Sequence, residues 1–301
     1  MTRRSGCGLD GVLLIDKPAG LTSAGVVREV KRRLGGPKVG HLGTLDPFAT
    51  GLLPLALGEA SKIVPFLNQE GKAYSGTIVL GRETDTLDAT GETTASAPVP
   101  VLDDARLATV AADFLGEIEQ VPPMFSALKR GGTPLYALAR RGVSLALEAR
   151  KVRIEALSLA AAGAQSLAIS VRCSKGTYVR SLARDIARAL GTVGHLGMLR
   201  RTAFGPFEVA QAVPLEAVGD AADLCLLSPR AALVGLRELR AEDRLVAEVR
   251  RGQQSGFVSL PAPRGPGEIA KLLDGPGNLV AIVAASGRSW RLLRVLAPTR
   301  R

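Results

Sequence analysis

Residues 40–62 read "GHLGTLDPFATGLLPLALGEASK", a glycine-studded polar loop that gives way to an apolar run. The loop displays one acid, Asp46, with Pro47 directly behind it and His41 five residues ahead. Glycines there permit close approach of backbone to a ligand, and an Asp-Pro pair by itself supports either a turn or a contact. The apolar "LLPLAL" predicts a buried strand, and "EASKIVPFL" after it a helix. Strand, loop and helix thus alternate around Asp46, which makes the fold class mixed α/β.

The same alternation extends outward. "GVLLIDKPAG" reads as a short buried strand ending in a turn. "TSAGVVREVKRRLGG" reads as a helix capped by Thr22 or Ser23, stopped by Gly35, with Val26, Val27, Val30 and Leu34 on one stripe. "AYSGTIVLG" has strand composition, and the polar "RETDTLDATGE" behind it is rich in turn residues. A helix is expected in "DDARLATVAADFLGEI". Paired prolines and paired glycines in "VPPMFSALKRGGTPLYALARRG" mark a mobile insertion, about 122–150, with a short helix at its end. Two strands, "RKVRIEALSLA" and "SLAISVRC", precede the helix "TYVRSLARDIARALG". There Val179, Leu182, Ile186 and Leu190 form a core stripe, while Arg180, Arg184 and Arg188 share another face, a pattern usually solvated. Ser228 and Pro229 open a further helix, and strand-like pieces then alternate with Gly/Pro turns. The expected division is one α/β unit over 1–232 and a small β-rich unit over 233–301.

With 301 residues, 46% of them hydrophobic, the chain can bury a core without staples. Cys7, Cys173 and Cys225 form no CxxC pair, and His41 and His195 lie far apart, so neither a disulfide framework nor a metal site is expected. A reducing cytoplasm fits such cysteine usage. The apolar run Val12 to Ile15 is stopped by Asp16 and Lys17, too soon for a signal peptide or a membrane span. The formal charge of +11 and pI near 10.1 point to a polyanionic partner, nucleic acid first. Lys17, Lys31, Arg32, Arg33 and Lys38 precede the loop. Lys129, Arg130, Arg140, Arg141 and Arg150 sit in the insertion, and Lys175, Arg200 and Arg201 follow. That clustering predicts a phosphate-binding track.

The 40–62 stretch closely resembles the catalytic motif of the TruB family of tRNA pseudouridine synthases. Other blocks agree in order: "LLIDKPAGLTS", "AYSGTIVLGRETDTLDATG", "VPPMFSALKRGGTPLYALARRG", "CSKGTYVRSLARDIARALG" and "HLGMLRRTAFGPF". The departures are Arg130-Gly131 where Val-Asn is common, an added Pro134, Gly194 for alanine and Arg251 for asparagine. The resemblance implies a mixed, mostly antiparallel sheet with flanking helices, and a C-terminal PUA-like RNA-binding domain. It implies a cofactor-free isomerisation of uridine to pseudouridine, at position 55 in the T-loop of tRNA. No protein partner is expected, the cytoplasm is expected from the cysteine usage, and monomer is the default oligomeric state. Asp46 then attacks the sugar C1′, attacks the base at C6, or removes a sugar proton. Most glycosidases need an acid and a base; here nothing enters or leaves, and one carboxylate suffices.

By the same resemblance, Arg180 pairs with Asp46 and opposes the neutralising effect of burial. Tyr74 stacks on the target base, an interaction of about 1–3 kcal/mol. Tyr178 lies near the site, Leu199 on the pocket floor, and Asp88 on the uracil edge. Lys17 belongs to the substrate-binding set, and His41 fills the space left by the flipped base. His195 reads as structural. Two rivals stand: a non-catalytic RNA-binding or RNA-folding protein, and a glycosidase recruiting Asp85 or Asp88.

Overall fold

Leu13 and Ile15 point to one side of a strand and Val12 and Leu14 to the other, and all four are buried. A strand apolar on both faces belongs in the middle of a layered structure. The computed structural model describes residues 9–36, 38–67, 71–143, 145–219 and 226–298. Cys7 and Cys225 lie outside these; Cys173 is a buried free thiol.

The central sheet is built from β1 (Gly11–Lys17), β2 (Thr50–Leu57), β3 (Lys72–Leu80), β4 (Gly116–Gln120), β5 (Arg150–Gly163), β6 (Ser166–Cys173) and β7 (Gly194–Phe204). Their order across the sheet is β1-β2-β7-β3-β6-β5-β4. All of these neighbours pair antiparallel except β2 and β7. That parallel pair sets Thr50 beside Arg200 and Gly51 beside Arg201. The mixed, mostly antiparallel sheet agrees with the expectation.

Three helices, α1 (Ser23–Arg33), α2 (Asp104–Asp113) and α3 (Val179–Ala189), cover one face. Thr22 caps α1 by accepting the Gly25 N–H, and Val26 and Val30 of the expected stripe are fully buried. On α3 the stripe Val179, Leu182, Ile186 and Leu190 packs into the same cluster as Leu13, Ile15 and Leu53. The helix sought in 103–118 stops at Asp113. Gly116 takes a left-handed φ of 86°, which breaks the helix, and the rest pairs with β5 as strand β4. In the insertion, Lys129–Arg130 pairs with Thr133–Pro134, and the short helix Leu135–Ala139 follows.

The second unit holds β8 (Arg237–Arg240), α4 (Asp243–Arg250), β9 (Ile269–Leu273), β10 (Leu279–Ser286) and β11 (Ser289–Val295). Its sheet runs β8-β9-β10-β11 over a core of its own, including Leu239, Val249, Phe257 and Trp290. It also shares a core with the first. Leu273, Ile282 and Leu296 pack with Val12, Leu14, Leu52 and Phe204, on the sheet face opposite the helices. The two-residue period of β1 thus sends Leu13 and Ile15 to the helices, and Val12 and Leu14 to the second sheet.

Candidate active site

Asp46 hangs between two pinned residues. Ser23, at the start of α1, accepts the Leu45 N–H at 2.9 Å and donates to the Leu45 carbonyl at 3.0 Å. The Pro47 carbonyl accepts the Gly20 N–H at 2.8 Å and Lys17 Nζ at 3.2 Å. The Asp46 carbonyl accepts the Ala49 N–H at 3.1 Å and closes the turn. A short polar loop becomes rigid because both neighbours of the acid are tied to β1 and α1.

Arg180, in the first turn of α3, reaches the carboxylate with Nε 2.9 Å from Asp46 Oδ2 and Nη2 3.3 Å from Oδ1. Its Nη1 donates to the Thr86 carbonyl at 2.8 Å, and Nη2 to the Phe125 carbonyl at 2.9 Å. Nη1 also lies 3.5 Å from Asp88 Oδ2. The fork thus meets two carboxylates and two backbone carbonyls at once, as a planar guanidinium allows. The Arg180 side chain is 5% exposed, whereas Asp46 keeps 35% of its side chain open to the cleft. The three arginines of the α3 row therefore differ. Arg184 pairs with Asp185 and the exposed Arg188 with Glu83.

Asp88 is buried at the end of a turn that Leu87 enters with φ 60°, a left-handed value costing roughly 1–3 kcal/mol in a non-glycine residue. Two backbone bonds with Leu196 hold the turn against β7. Asp88 Oδ1 accepts from Thr86 Oγ1 at 2.8 Å, Thr90 N at 3.0 Å and Thr90 Oγ1 at 2.5 Å. With Oδ1 taken by the threonines and Oδ2 facing Arg180, the geometry weighs against the glycosidase rival and equally against the uracil-edge contact that the resemblance implied for Asp88.

These groups line a cleft of about 590 Å³, within the ~300–1,000 Å³ typical of ligand sites. Asp46, Tyr74, Asp88, Tyr178, Arg180 and Leu199 all face it. Tyr74 stands on β3 and Leu199 on β7, both largely buried, so strand pairing brings them together. Burial pushes the Asp46 carboxyl above the ordinary aspartate value; Arg180 is the strongest opposing influence, and Asp88 adds to the rise. The expected guanidinium is present, yet the loss of solvent on burial outweighs it. Burial likewise raises the Tyr74 hydroxyl and lowers His41.

Two expectations need correction, and His41 stands apart. Lys17, placed with the phosphate-binding and substrate-binding groups, is fully buried and does not line the cleft. It spends Nζ on the Pro18 and Pro47 carbonyls, and burial lowers its pKa to about 8. Arg201, also placed on the phosphate track, has no exposed surface. Neither can meet RNA, because charge patterning along a chain does not reveal which side of a strand is sealed. His41 is half-buried, with Nε2 3.3 Å from Thr44 Oγ1, and borders the cleft rather than lining it. His195 is buried, with Nδ1 2.7 Å from the Arg82 carbonyl, as a structural histidine should be. Lys129, Arg130, Arg140, Arg141 and Arg150 are exposed, and Arg140 lines the cleft.

Sequence reasoning missed the Phe125 carbonyl, since a backbone acceptor leaves no mark in residue identity. It also missed Ser126, a buried cleft residue that lies against the Tyr178 hydroxyl. Among the described residues no group of His, Cys, Asp and Glu could hold a metal ion, and no helix is long and apolar enough to cross a membrane.

Residues 31–179 match the family model described as TruB family pseudouridylate synthase (N terminal domain). Residues 180–233 match the one described as tRNA pseudouridylate synthase B C-terminal domain. A protein of Aromatoleum aromaticum named tRNA pseudouridine synthase B is 54% identical over 230 residues, 75% of this chain and 74% of its own length. A protein of the same name from Xanthomonas campestris pv. campestris is 43% identical over 288 residues, 93% of this chain and 92% of its own. Among solved structures, one described as a Cbf5-Nop10-Gar1 complex matches with TM-score 0.75 and 25% identity, covering 99% of this chain and 88% of that one.

Proposed function

The chain belongs to the TruB family of tRNA pseudouridine synthases, and from that membership we propose that Asp46 carries the reaction and that its uridine is position 55 of the T-loop. The enzyme isomerises uridine to pseudouridine in tRNA. The N1–C1′ bond breaks, C5 bonds to C1′, the C5 proton leaves and N1 gains one.

The observation that carries the assignment is the Asp46 carboxylate, forked by Arg180 at 2.9 Å and part-exposed in a cleft of about 590 Å³. Attack at C1′, attack at C6 and removal of a sugar proton share one demand, an ionised oxygen that water does not swamp. Arg180 supplies the charge that keeps it ionised, and Asp88 orients Arg180. Tyr74 and Tyr178 present ring surface to a base swung out of its stack, and Leu199 closes the floor. His41, beside Thr44, is the residue assigned by family likeness to the vacated stack, and burial favours its neutral ring. Exposed basic residues of the insertion hold the T-loop and stem through phosphates. The C-terminal unit acts as a PUA-like RNA-binding domain. The proposed enzyme is a cytoplasmic monomer that works without cofactor or protein partner.

The test is incubation with unmodified tRNA transcript followed by digestion to nucleosides. The expected product is pseudouridine at position 55, abolished in Asp46→Asn while tRNA binding stays within a few-fold. Pseudouridine formation by Asp46→Asn, release of free uracil, or modification only outside the T-loop would overturn the assignment.

A further inference from the structure

Arg201 is sealed in the protein, and among the described residues no carboxylate pairs with it. A cation without a counter-ion in a closed interior is costly, so its position calls for a physical reason. Its bonds supply one. Nε donates to the Leu52 carbonyl at 2.7 Å and Nη2 to the Gly43 carbonyl at 3.0 Å. Gly43 lies three residues before Asp46 and Leu52 six after it, so one guanidinium closes the loop that carries the acid. The guanidinium sits 5.3 Å from the centroid of the Phe204 ring, which fixes its plane.

Its place on β7 is central. Arg201 is in register with Gly51 of β2 on one side and with Tyr74 of β3 on the other. A Cβ on Gly51 would lie 2.3 Å from the Arg201 carbonyl oxygen, and one on Gly43 would lie 2.7 Å from Phe204 Cε2 and 3.3 Å from Arg201 Nη1. The loop is thus drawn tight onto Arg201 at two glycines.

We propose that Arg201 is a positioning residue for the isomerisation, a buried clasp that joins the Gly43 and Leu52 carbonyls and thereby fixes where the Asp46 carboxylate points. It acts on the loop backbone and also meets the Tyr74 hydroxyl, whereas Arg180 acts on the carboxylate itself. The proposal rests on Asp46 as the reacting group, which Asp46→Asn tests separately.

The experiment compares Arg201→Lys and Arg201→Met with the parent in kcat, KM, tRNA affinity, folded fraction and the pH profile of kcat. A misplacement near 1 Å at a reacting group costs on the order of 100-fold. The expected result is kcat per folded molecule lowered about 100-fold in Arg201→Met and about tenfold in Arg201→Lys, whose single ammonium cannot hold both carbonyls. KM and tRNA affinity should stay within about twofold, and the acid limb should not move. A kcat per folded molecule within threefold of the parent in both variants would overturn the proposal, as would weakened tRNA binding at unchanged kcat. If neither variant folds, Gly43→Ala leaves Arg201 in place and displaces the carbonyl it holds. The same kcat-only loss is then expected, and a parental kcat refutes the clasp.

Discussion

Replacing Arg180 with methionine removes a 5%-exposed guanidinium and leaves Asp46, Asp88 and the Thr86 and Phe125 carbonyls to rearrange. Breaking a fully buried ion pair by deleting one partner costs about 3–5 kcal/mol. Asp46 keeps 35% of its side chain exposed, and water screens that part, so the low end, about 3 kcal/mol of stability, is expected. Where the transition state loses an interaction of the same size, about 3 kcal/mol there is a rate loss of more than 100-fold. The pH dependence separates charge from packing. Arg180 is the strongest influence holding down a carboxyl already raised by burial. Without it the pKa climbs further, so the ionised form is lost at a higher pH as the medium is acidified. The acid limb of kcat, followed by tritium release from C5-labelled uridine in tRNA, should move to higher pH. The deficit against the parent should narrow as pH rises. An unmoved limb with kcat within tenfold of the parent would refute the idea that Arg180 keeps Asp46 charged.

Lys17 has a pKa near 8 in the fold against 10.5 for a free lysine, so the folded chain binds its proton less well. Stability therefore rises with pH across the window from about 8 to 10.5, and Lys17→Met removes that slope. Urea melts at several pH values should show the parent gaining on the variant through the window; parallel curves would contradict the lowered pKa. Gly51→Ala places a methyl 2.3 Å from the Arg201 carbonyl oxygen at a φ of 97°. It should cost about 1–3 kcal/mol in backbone strain alone and lower Tm by several degrees. An unchanged Tm would mean that the loop is not drawn against β7 as described.

The helices were legible where one stripe dominates. Val26 and Val30 on α1, and Val179, Leu182 and Ile186 on α3, follow a 3.6-residue period that only a helix can bury on one side. The 103–118 stretch misled because its apolar residues continue past Asp113. Gly116, whose left-handed φ ends the pattern, was visible but unweighted. Asp46 and Arg180, 134 residues apart, were joined in advance only through resemblance of their motifs, since no periodicity links positions so distant. Lys17 and Arg201 were misplaced for a common reason. Arg201 sits in a basic run and Lys17 where a strand meets a turn, both places that look accessible, and both are sealed by pairing partners far away in the chain. A weak signal existed at "MLRRT". Alternation along a strand puts Arg201 on the side of Leu199 and Arg200 on the other, where it meets Asp16.

By itself, then, the sequence determined most of the element types, the basic character and the family likeness, and it singled out Asp46 as the acid to examine. These depend on local period and on residue chemistry, which are written in order along the chain. Only the tertiary structure decided that β2 and β7 run parallel, that two cations are buried beneath the Asp46 loop, and that Asp88 shares the guanidinium of Arg180. Burial and pairing are properties of surfaces meeting in space, and a charged side chain carries no local mark of whether water or a backbone carbonyl will receive it.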